Sequence, residues 1–429
     1  MSDTTIERAL AREVDVPLPF DEHTEFERTR PRVTLLHGDV IETLRTLPEH
    51  SVHCVMTSPP YYGLRSYGIN PRRWDDGTVC VLGDEDTVER YVQHVVAVAH
   101  EIRRVLHPRG SFWLNLGDSY AGGGRHDERK EIYAIPKTAK PSRPRQKQYT
   151  GKSLLLVPSR VALALSDEGW TLRQDNIWAK ALSFLPAYSG SVMPESTRDR
   201  TTWAHEHVFH FTLTKNAFYD QDGCREPYAI SSRVQARTGY TGQRTKAYAS
   251  AHAQDPSDSK RRILESIKAG IGRNLRNVWV IPKQNFLGAH FATFPMKLVE
   301  PVVKLATSEK GVCEVCLEPW RRRVVREAVP AHVRAQFEAA RAQTASETGR
   351  TDGHTSKRPN YRRKVLREEW EPGCNHGGNP IPATLLDPFM GSGRAGMVAT
   401  RLGRSFIGID ASAEYVRMAE VAIQSGEAR

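Results

Sequence analysis

One stretch near the end of the sequence limits the possible folds more than any other. Residues 384–410 read as a strand (TLLD), a glycine turn (PFMGSG), a helix (RAGMVATRLG) that Gly403 would end, and a second strand (SFIGID). Two strands joined by one helix run parallel, and a parallel pair needs further strands and covering helices. Because this unit is the last in the sequence, we expect its sheet partners among the N-terminal strands.

The segments before this unit alternate between strand and helix patterns. Apolar runs predict strands at 33–39, 51–56, 111–120, 171–180 and 205–215, and helical spacing predicts helices at 40–48, 87–110 and 153–170. This alternation is typical of an α/β fold with a mostly parallel sheet and helices on its faces. Functional side chains collect at the carboxyl ends of such strands, where this sequence carries Asp39, Ser58, Asn115 and Asp118.

The strand at 51–56 is followed by the unusual sequence TSPPYYGLRSYG, Thr57 to Gly68. Pro59 and Pro60 have no N–H to donate, so they end the strand and stiffen the backbone. Tyr61 adds an aromatic ring close to the Ser58 hydroxyl. The motif fits a loop that packs its own tyrosines, or a rigid ledge that holds a planar ring and offers it hydrogen bonds.

The glycine turn carries a second potential ligand site. Gly391, Gly393 and Gly396 have the spacing G-x-G-x-x-G, and Asp410 ends the following strand. Such glycines let the backbone approach a ligand, and the acid can accept hydrogen bonds from a ribose. The pattern also fits a close strand-to-helix crossing without a ligand, or a nicotinamide-dependent oxidoreductase. Asp387, directly before the turn, would repel a pyrophosphate and favours a cationic or amino-bearing ligand.

The distribution of charge indicates a polyanionic partner. Lys and Arg number 61 against 50 Asp and Glu, a formal net charge of +11, which suits nucleic acid. Basic residues are concentrated at 125–152, at 225–283 and at 358–367. A non-catalytic nucleic-acid-binding or zinc-finger protein is therefore a further interpretation, although it leaves the two preceding motifs without a role.

Four potential metal ligands flank a long polar segment. Cys313 and Cys316 form a Cys-x2-Cys pair, and Cys374 and His376 follow later in the sequence. Two such pairs complete a tetrahedral zinc site, and four protein ligands make that site structural. We predict a zinc ion that joins the two ends of an insertion, within which residues 325–370 show no clear strand. Three reduced cysteines and a surface histidine are the alternative.

The sequence TSPPY, followed far downstream by DPFMGSG, resembles the motifs of DNA methyltransferases that methylate exocyclic amines with S-adenosylmethionine. The order, catalytic motif first and cofactor motif last, is that of their circularly permuted β group. The resemblance implies a Rossmann-like methyltransferase fold, S-adenosylmethionine as cofactor, double-stranded DNA as partner and a target base flipped out of the duplex. Enzymes that methylate cytosine at ring carbon 5 need a cysteine nucleophile, usually after a proline. Cys54 lies in the strand before the motif and is interpreted as a core thiol, so methylation at ring carbon 5 is not expected.

The resemblance also implies roles for single residues. The Ser58 hydroxyl and the Pro59 carbonyl would accept hydrogens of the target amine, with Pro60 holding the backbone rigid and Tyr61 stacking on the base. Asp410 would contact the ribose, Asp39 the adenine or ribose edge, and Phe291 and Thr293 the methionine end. The remaining cofactor contacts would come from the glycine turn and its flanks, namely Asp387, Phe389, Gly391, Ser392 and Gly393.

The same resemblance divides the chain into five parts. We expect an N-terminal lead-in at 1–30, followed by a catalytic half at 31–215 that contains a basic loop at 121–152. A candidate target-recognition region follows at 216–284. The cofactor-binding half comprises 285–311 and 380–429, and a zinc-stapled insertion at 312–379 interrupts it. No apolar run approaches the ~20 residues of a membrane span, and the first residues lack a signal peptide's apolar core. We expect a cytoplasmic protein without membrane contact.

The Ser-Pro-Pro-Tyr motif resembles the cytosine-N4 group of this family, whose adenine-N6 enzymes mostly carry an acidic or amide residue at the position of Ser58. We therefore expect methylation of cytosine N4, with adenine N6 as the alternative. The expected setting is a restriction-modification system or phage/host DNA modification. The existence of a cognate restriction enzyme, and the choice between monomer and homodimer, are left open.

Overall fold

A computed structural model describes most of the regions that carry the motifs. The described residues are 12–14, 30–63, 69–122, 149–184, 190, 192, 197–228, 272–283, 294–326, 330–332, 334–336, 338–339 and 365–426, with the backbone alone for 12–14, 324–326 and 365–368. Most of the predicted basic loop at 121–152 and of the candidate recognition region at 216–284 lies outside them. Phe291 and Thr293 also lie outside the described residues.

Within the described residues the secondary structure alternates along the chain, as predicted. The strands are β1 Arg12–Val14, β2 Val33–His37, β3 Val52–Thr57, β4 Arg72–Arg73, β5 Val79–Cys80, β6 Leu106–Leu116, β7 Thr171–Ala179, β8 His205–Thr212, β9 Arg225–Glu226, β10 Arg273–Asn274, β11 Val278–Val280, β12 Val312–Cys313, β13 Arg321–Arg326, β14 Val365–Glu371, β15 Pro380–Ile381, β16 Thr384–Asp387 and β17 Ser405–Asp410. The α-helices are α1 Val40–Thr46, α2 Val88–Val105, α3 Val157–Asp167, α4 Met296–Ala306, α5 Arg394–Arg401 and α6 Ala413–Ser425, and Gln221–Cys224 forms a 3-10 turn.

Nine of these strands form one sheet, in the order β1-β2-β17-β16-β3-β6-β8-β7-β11. The five strands from β2 to β6 in this order are parallel to their neighbours, β8 runs antiparallel to both β6 and β7, and β1 runs antiparallel to β2. The mostly parallel sheet is therefore confirmed. The C-terminal strands β16 and β17 lie between the N-terminal strands β2 and β3. The prediction that the C-terminal unit pairs with N-terminal strands is therefore confirmed.

Helices cover both faces of the sheet, which gives a Rossmann-like arrangement. The helices α1, α2 and α3 contribute to one apolar core, and α4, α5 and α6 contribute to the core on the opposite face. The helix α2 illustrates the cause, because it buries Tyr91, Val95, Val98 and Ile102 at helical spacing. Its first turn is capped by Thr87 Oγ1, which accepts from Arg90 N at 3.2 Å. Among the described helices, none combines the length and apolar character that a bilayer span requires.

The predicted helix at 87–110 is too long. The helix ends at Val105, and the residues that were expected to stop it already lie in β6. The strand tolerates Pro108 because its pairing with β3 is irregular there: Leu106 faces Val52, but Ser111 faces Cys54. Four residues of β6 thus lie opposite a single residue of β3, and proline is accepted in strands at such bulges.

The expectation of no clear strand at 325–370 is also wrong. The strand β14 pairs antiparallel with β13, and Arg321 lies opposite Glu371. Arg322 stacks its guanidinium over the Trp370 ring at 4.5 Å. Both strands consist largely of charged residues and lack an alternating apolar face. Their stabilisation comes from cross-strand partners, which a pattern within one segment does not reveal.

Gly393 should be needed for packing between the glycine turn and α6. Its φ is +76°, and an added Cβ would lie 2.7 Å from Ala419 Cβ. We expect Gly393→Ala to lower the free energy of unfolding by about 2–4 kcal/mol through overpacking and backbone strain. Gly426→Ala is the matched control, since its φ is +64° with nothing within 4 Å of the added Cβ, and it should cost about 1–2 kcal/mol. Urea unfolding checks this, and equal losses would contradict the packing role.

Candidate functional site

The carboxyl ends of β2, β3, β16 and β17 meet at one edge of the sheet, because these strands are parallel neighbours. A cavity of about 610 Å³ opens there. Its lining includes seven of the residues predicted from sequence, namely Asp39, Ser58, Pro60, Phe389, Gly391, Ser392 and Asp410. The motifs around Ser58 and Gly391, more than 300 positions apart in the chain, therefore share one cavity.

The glycines of the turn have different surroundings. Gly391 has φ +51°, and an added Cβ would meet nothing within 4 Å, so its backbone borders the open cavity. Its N–H donates to Asp410 Oδ2 at 3.0 Å. Gly393, in contrast, is packed against Ala419 of α6 and is not part of the cavity lining. The turn thus offers a ligand its backbone at Gly391, whereas Gly393 allows the close helix packing.

Asp387 is fully buried at the end of β16 beneath this turn. Its Oδ1 accepts hydrogen bonds from Thr57 Oγ1 at 2.6 Å and from Phe389 N at 3.1 Å. Among the described residues, its Oδ2 and the buried Ser392 Oγ have no hydrogen-bond partner. Burial, together with the charge of Asp410, raises the pKa of Asp387 to about 7. Ser392 lines the cavity, whereas Asp387 lies beneath the turn outside the lining. The charge of Asp387 can therefore favour a positively charged ligand, and Ser392 Oγ is the oxygen nearer to a ligand's hydrogen-bond donors.

Asp410 and Asp39 are already engaged by backbone groups. Asp410 Oδ1 accepts from Ser412 N at 2.8 Å, and burial raises its pKa. Asp39 caps α1, where its Oδ1 accepts from Ile41 N at 3.0 Å. A ligand hydroxyl at either position would therefore use the remaining lone pairs of a carboxylate that is held in place by N–H groups.

Two residues of the cavity wall were missed by the sequence analysis. The Arg72 guanidinium forms an ion pair with Asp39 and lies over the Trp74 ring at 4.7 Å. Trp74 also stacks on His94, with ring centroids 3.9 Å apart. The sequence signal is weak, since RRW at 72–74 is a short polar run outside the predicted strands and helices. An aromatic ring beside two arginines can nevertheless be read as a surface for a planar ligand.

The second half of the site is a group of hydrogen-bonded side chains around Tyr61. The hydroxyl of Ser58 lies 3.0 Å from Tyr61 Oη. Tyr61 Oη lies 2.8 Å from Glu206 Oε2 and 3.1 Å from Asn115 Oδ1. Glu206 also forms an ion pair with Lys180. Tyr61 is half-buried and Pro59 is buried, and both lie outside the cavity lining.

Glu206 and Lys180 were not identified from the sequence, whereas Asn115 was noted as a polar residue at a strand end. Glu206 lies near the start of β8 and Lys180 directly after β7. Because β8 runs antiparallel to β6, its first residues reach the edge where the parallel strands end. A sequence pattern does not give this strand order, so nothing local marks Glu206 as part of the site.

The four predicted metal ligands come together in space. One ligand atom from each of Cys313, Cys316, Cys374 and His376 can be chosen so that all lie within 4.8 Å of one another. Three soft thiol sulfurs and an imidazole are a donor set that zinc accepts, and no position is left for a substrate. The arrangement therefore fits a closed structural zinc site.

The zinc-ligand cluster contacts the sheet at the edge opposite the cavity. His53, near the start of β3, lies with Nε2 3.1 Å from the Leu317 carbonyl. Its Nδ1 accepts from Thr384 N at 3.0 Å, so the ring bridges the cluster and the first residue of β16. Burial and the neighbouring His107 lower the pKa of His53 to about 3, which keeps the ring neutral.

Comparison with known proteins gives concordant matches. A sequence profile of a family described as DNA methylase matches residues 52–313 and 382–421. The chain is 29% identical over 397 residues to Type II methyltransferase M.XycI of Xanthomonas campestris pv. cyanopsidis, covering 91% of this chain and 87% of that protein. It is 32% identical over 294 residues to Type II methyltransferase M.Cfr9I of Citrobacter freundii, covering 67% and 76%. PvuII DNA methyltransferase (cytosine-N4-specific) superposes at a TM-score of 0.47 and 17% identity, covering 93% and 94%.

The metal site can be tested by elemental analysis. We expect the purified protein to contain about one zinc per chain, because the four ligands complete a tetrahedral site. Cys374→Ser should lose most of this zinc and unfold at a lower temperature. Cys224→Ser is the control, since this thiol lies outside the cluster, and it should keep the metal. A metal-free protein that is folded and active with all four residues intact would contradict the zinc assignment.

Proposed function

The chain belongs to the DNA methylase family and is an S-adenosylmethionine-dependent DNA amino-methyltransferase of the restriction-modification type, and we propose that it methylates the exocyclic N4 amine of cytosine in duplex DNA. The observation that carries the proposal is that Ser58 and Gly391 line the same cavity. A hydroxyl acceptor and an open glycine turn at one cavity suit an amine substrate beside a bound cofactor. The nicotinamide-dependent alternative leaves Ser58 without a role.

The residues of the cavity fit the proposed cofactor. S-adenosylmethionine, when bound, supplies an electrophilic methyl group on a positively charged sulfur. Ser392 lines the cavity, and Asp387 lies beneath the glycine turn outside the lining. Both carry buried oxygens without partners among the described residues, which suit the cationic methionine portion. Asp410 would accept from the ribose hydroxyls, and Asp39 with Trp74 would hold the adenine edge. Phe389 and Gly391 keep their proposed contacts, whereas Gly393 would act through the packing of the turn.

The proposed catalytic residues act by positioning rather than by covalent attack. The lone pair of an exocyclic amine is delocalised into the ring, so the amine is a weak nucleophile. Ser58 Oγ and the Pro59 carbonyl would accept its hydrogens and favour a pyramidal nitrogen whose lone pair is free to react. The ledge is held from below, because Tyr91 Oη donates to the Pro60 carbonyl at 2.9 Å. Cys54 is fully buried in β3 and is not a nucleophile in this scheme.

The choice of cytosine rests on the chemistry of Ser58. Its hydroxyl accepts an amine hydrogen without adding a charge next to the base, and Ser-Pro-Pro-Tyr resembles the cytosine-N4 group. Adenine presents the same kind of amine beside a ring nitrogen, so adenine N6 remains the alternative substrate. Tyr61 keeps the proposed role of stacking on the flipped base with the face of its ring. Its hydroxyl would keep its hydrogen bonds to Ser58 and Glu206 at the same time.

Duplex DNA is the expected partner, in keeping with the net charge of +11. We propose residues 216–284 as the region that reads the recognition sequence and 121–152 as a further DNA contact. The halves at 31–215 and at 285–311 with 380–429 would carry catalysis and cofactor binding. The insertion at 312–379 would stabilise the fold, since its zinc-ligand cluster lies at the edge away from the cavity.

Cofactor affinity should depend on pH through Asp387. Its pKa of about 7 keeps the free carboxyl largely protonated below pH 7. A cationic ligand favours the carboxylate, so binding releases a proton and affinity should rise as pH increases from about 5.5 to 7, by up to about tenfold per unit. Titration calorimetry at pH 5.5–7.5 in two buffers of different ionisation enthalpy measures both effects.

Two variants separate Asp387 from other buried acids. Asp387→Asn should bind more weakly at pH 7.5 and lose the pH dependence. Asp118→Asn is the matched control, since burial also raises the pKa of Asp118, whereas this carboxylate accepts from Val157 N at the start of α3 and not from the glycine turn. An unchanged slope in Asp387→Asn would show that another group controls the binding.

The target base is decided by nucleoside mass spectrometry of DNA incubated with protein and S-adenosylmethionine. We expect N4-methylcytosine as the product, because the neutral Ser58 acceptor matches the cytosine-N4 group. Ser58→Ala should retain cofactor binding but lose about 100-fold or more in methyl transfer, since an interaction made in the transition state is removed. N6-methyladenine as the sole product would overturn the base assignment and leave the amine chemistry intact.

A further inference from the structure

The hydrogen-bonded group around Tyr61 has a defined direction. Tyr61 Oη lies 3.0 Å from Ser58 Oγ, 2.8 Å from Glu206 Oε2 and 3.1 Å from Asn115 Oδ1. A phenol has one hydrogen to donate and lone pairs that accept. The direction of every hydroxyl hydrogen in the group therefore follows from what Glu206 and Asn115 can do.

Both groups beyond Tyr61 are hydrogen-bond acceptors. Glu206 pairs through Oε1 with Lys180, and the two side chains are only 12% and 11% exposed. A lysine ammonium has only donors, so Glu206 accepts from Lys180 through Oε1 and presents its other oxygen, Oε2, to Tyr61. Asn115 Nδ2 donates to the His207 carbonyl at 3.0 Å, and because a carbonyl can only accept, Asn115 must turn its Oδ1 towards Tyr61.

Tyr61 must therefore donate its hydrogen to one of these oxygens. Burial and, after it, the charge of Glu206 raise the pKa of Tyr61 well above its ordinary value, so the phenol retains this hydrogen. The contact between Ser58 and Tyr61 is then made with the serine hydrogen. Once that hydrogen is committed to Tyr61, the free positions on Ser58 Oγ are lone pairs.

We propose that Asn115, Glu206 and Lys180 are positioning residues that, through Tyr61, hold the Ser58 hydroxyl as an acceptor facing the target amine. The inference rests on the proposed amine chemistry and applies equally to cytosine N4 and adenine N6. Without this constraint the serine hydrogen could turn towards the amine nitrogen and occupy the lone pair that must react. An ionised acidic residue at this position carries no such hydrogen. A serine at this position does, and in this proposal it needs the Glu206 carboxylate, two hydrogen bonds away, to fix the direction of that hydrogen.

The inference predicts that Tyr61→Phe lowers kcat strongly only when residue 58 is a serine. Phenylalanine keeps the ring for stacking and removes the acceptor of the serine hydrogen. In the natural protein this change should lower kcat by about 10- to 100-fold, with the melting temperature and the affinity for S-adenosylmethionine unchanged. In a Ser58→Asp background the carboxylate accepts regardless of Tyr61, so the same change should lower kcat by less than about threefold.

The control for the loss of a half-buried hydroxyl is Ser166→Ala on α3, where Ser166 Oγ donates to the Ala162 carbonyl at 2.8 Å. It should retain kcat within about twofold. Retention of kcat by Tyr61→Phe, or an equal loss in both backgrounds, would overturn the inference while leaving the proposed function standing. Absence of methyl transfer by the natural protein to either base would overturn the proposed function, and this inference with it.

A second pair of variants tests the direction without changing Ser58 or Tyr61. In Glu206→Gln, Lys180 attracts the new amide oxygen, so the amide NH₂ faces Tyr61 and competes with the serine hydrogen. We expect kcat to fall about tenfold. Adding Lys180→Met frees the amide to turn its oxygen to Tyr61, and kcat should recover to within about threefold of the natural protein. A double variant that is less active than Glu206→Gln alone would mean that the pair serves stability only.

Discussion

The parallel pairing of β16 with β3 is the contact on which the rest of the structure depends. It sets Leu385 beside Cys54, and it ends in a buried hydrogen bond in which Thr57 Oγ1 donates to Asp387 Oδ1 at 2.6 Å. Because the two strands are parallel and in register, both end at the same edge. Ser58 and the turn at Gly391 therefore stand together although most of the chain separates them.

The electrostatics of the cavity follow from where the carboxylates lie. Asp387 is buried and Asp410 is half-buried beside the glycine turn, and burial raises the pKa of each. The carboxylate of Glu206 is instead separated from Ser58 by the Tyr61 hydroxyl. A cationic cofactor would favour the charged form of these two carboxyls, whereas the amine of a base would meet the neutral oxygen of Ser58. One site can in this way treat a charged and a neutral ligand differently.

The zinc-ligand cluster lies where the parallel strands of the sheet begin, and the cavity lies where they end. His53 links the cluster to the starts of β3 and β16, whereas the cavity opens where these strands end. A long insertion adds little closure entropy when its ends are already close, and the cluster of Cys313, Cys316, Cys374 and His376 brings them close. The insertion can therefore be accommodated without disturbing the residues at the other edge.

Much of the fold and half of the site could be predicted from local patterns. Strand and helix periods, the proline ledge, the glycine turn and the two pairs of predicted zinc ligands each occupy a short stretch, so their geometry is encoded by neighbouring residues. The end of α2 at Val105 could not be predicted, because the bulge that accepts Pro108 belongs to the pairing with β3. The strand β14 was missed for the same reason, since it is stabilised by partners on β13.

The sequence by itself determined which chemical groups are available: a hydroxyl beside two prolines, a glycine turn between two aspartates, and three thiols with an imidazole. Only the tertiary structure decided that Glu206 and Lys180 stand behind Tyr61. The reason is that β8 runs antiparallel beside β6, and strand order is set by burial of apolar surface between distant segments. Local periodicity contains no record of that order, and so the direction of the Ser58 hydroxyl follows from the fold and not from its motif.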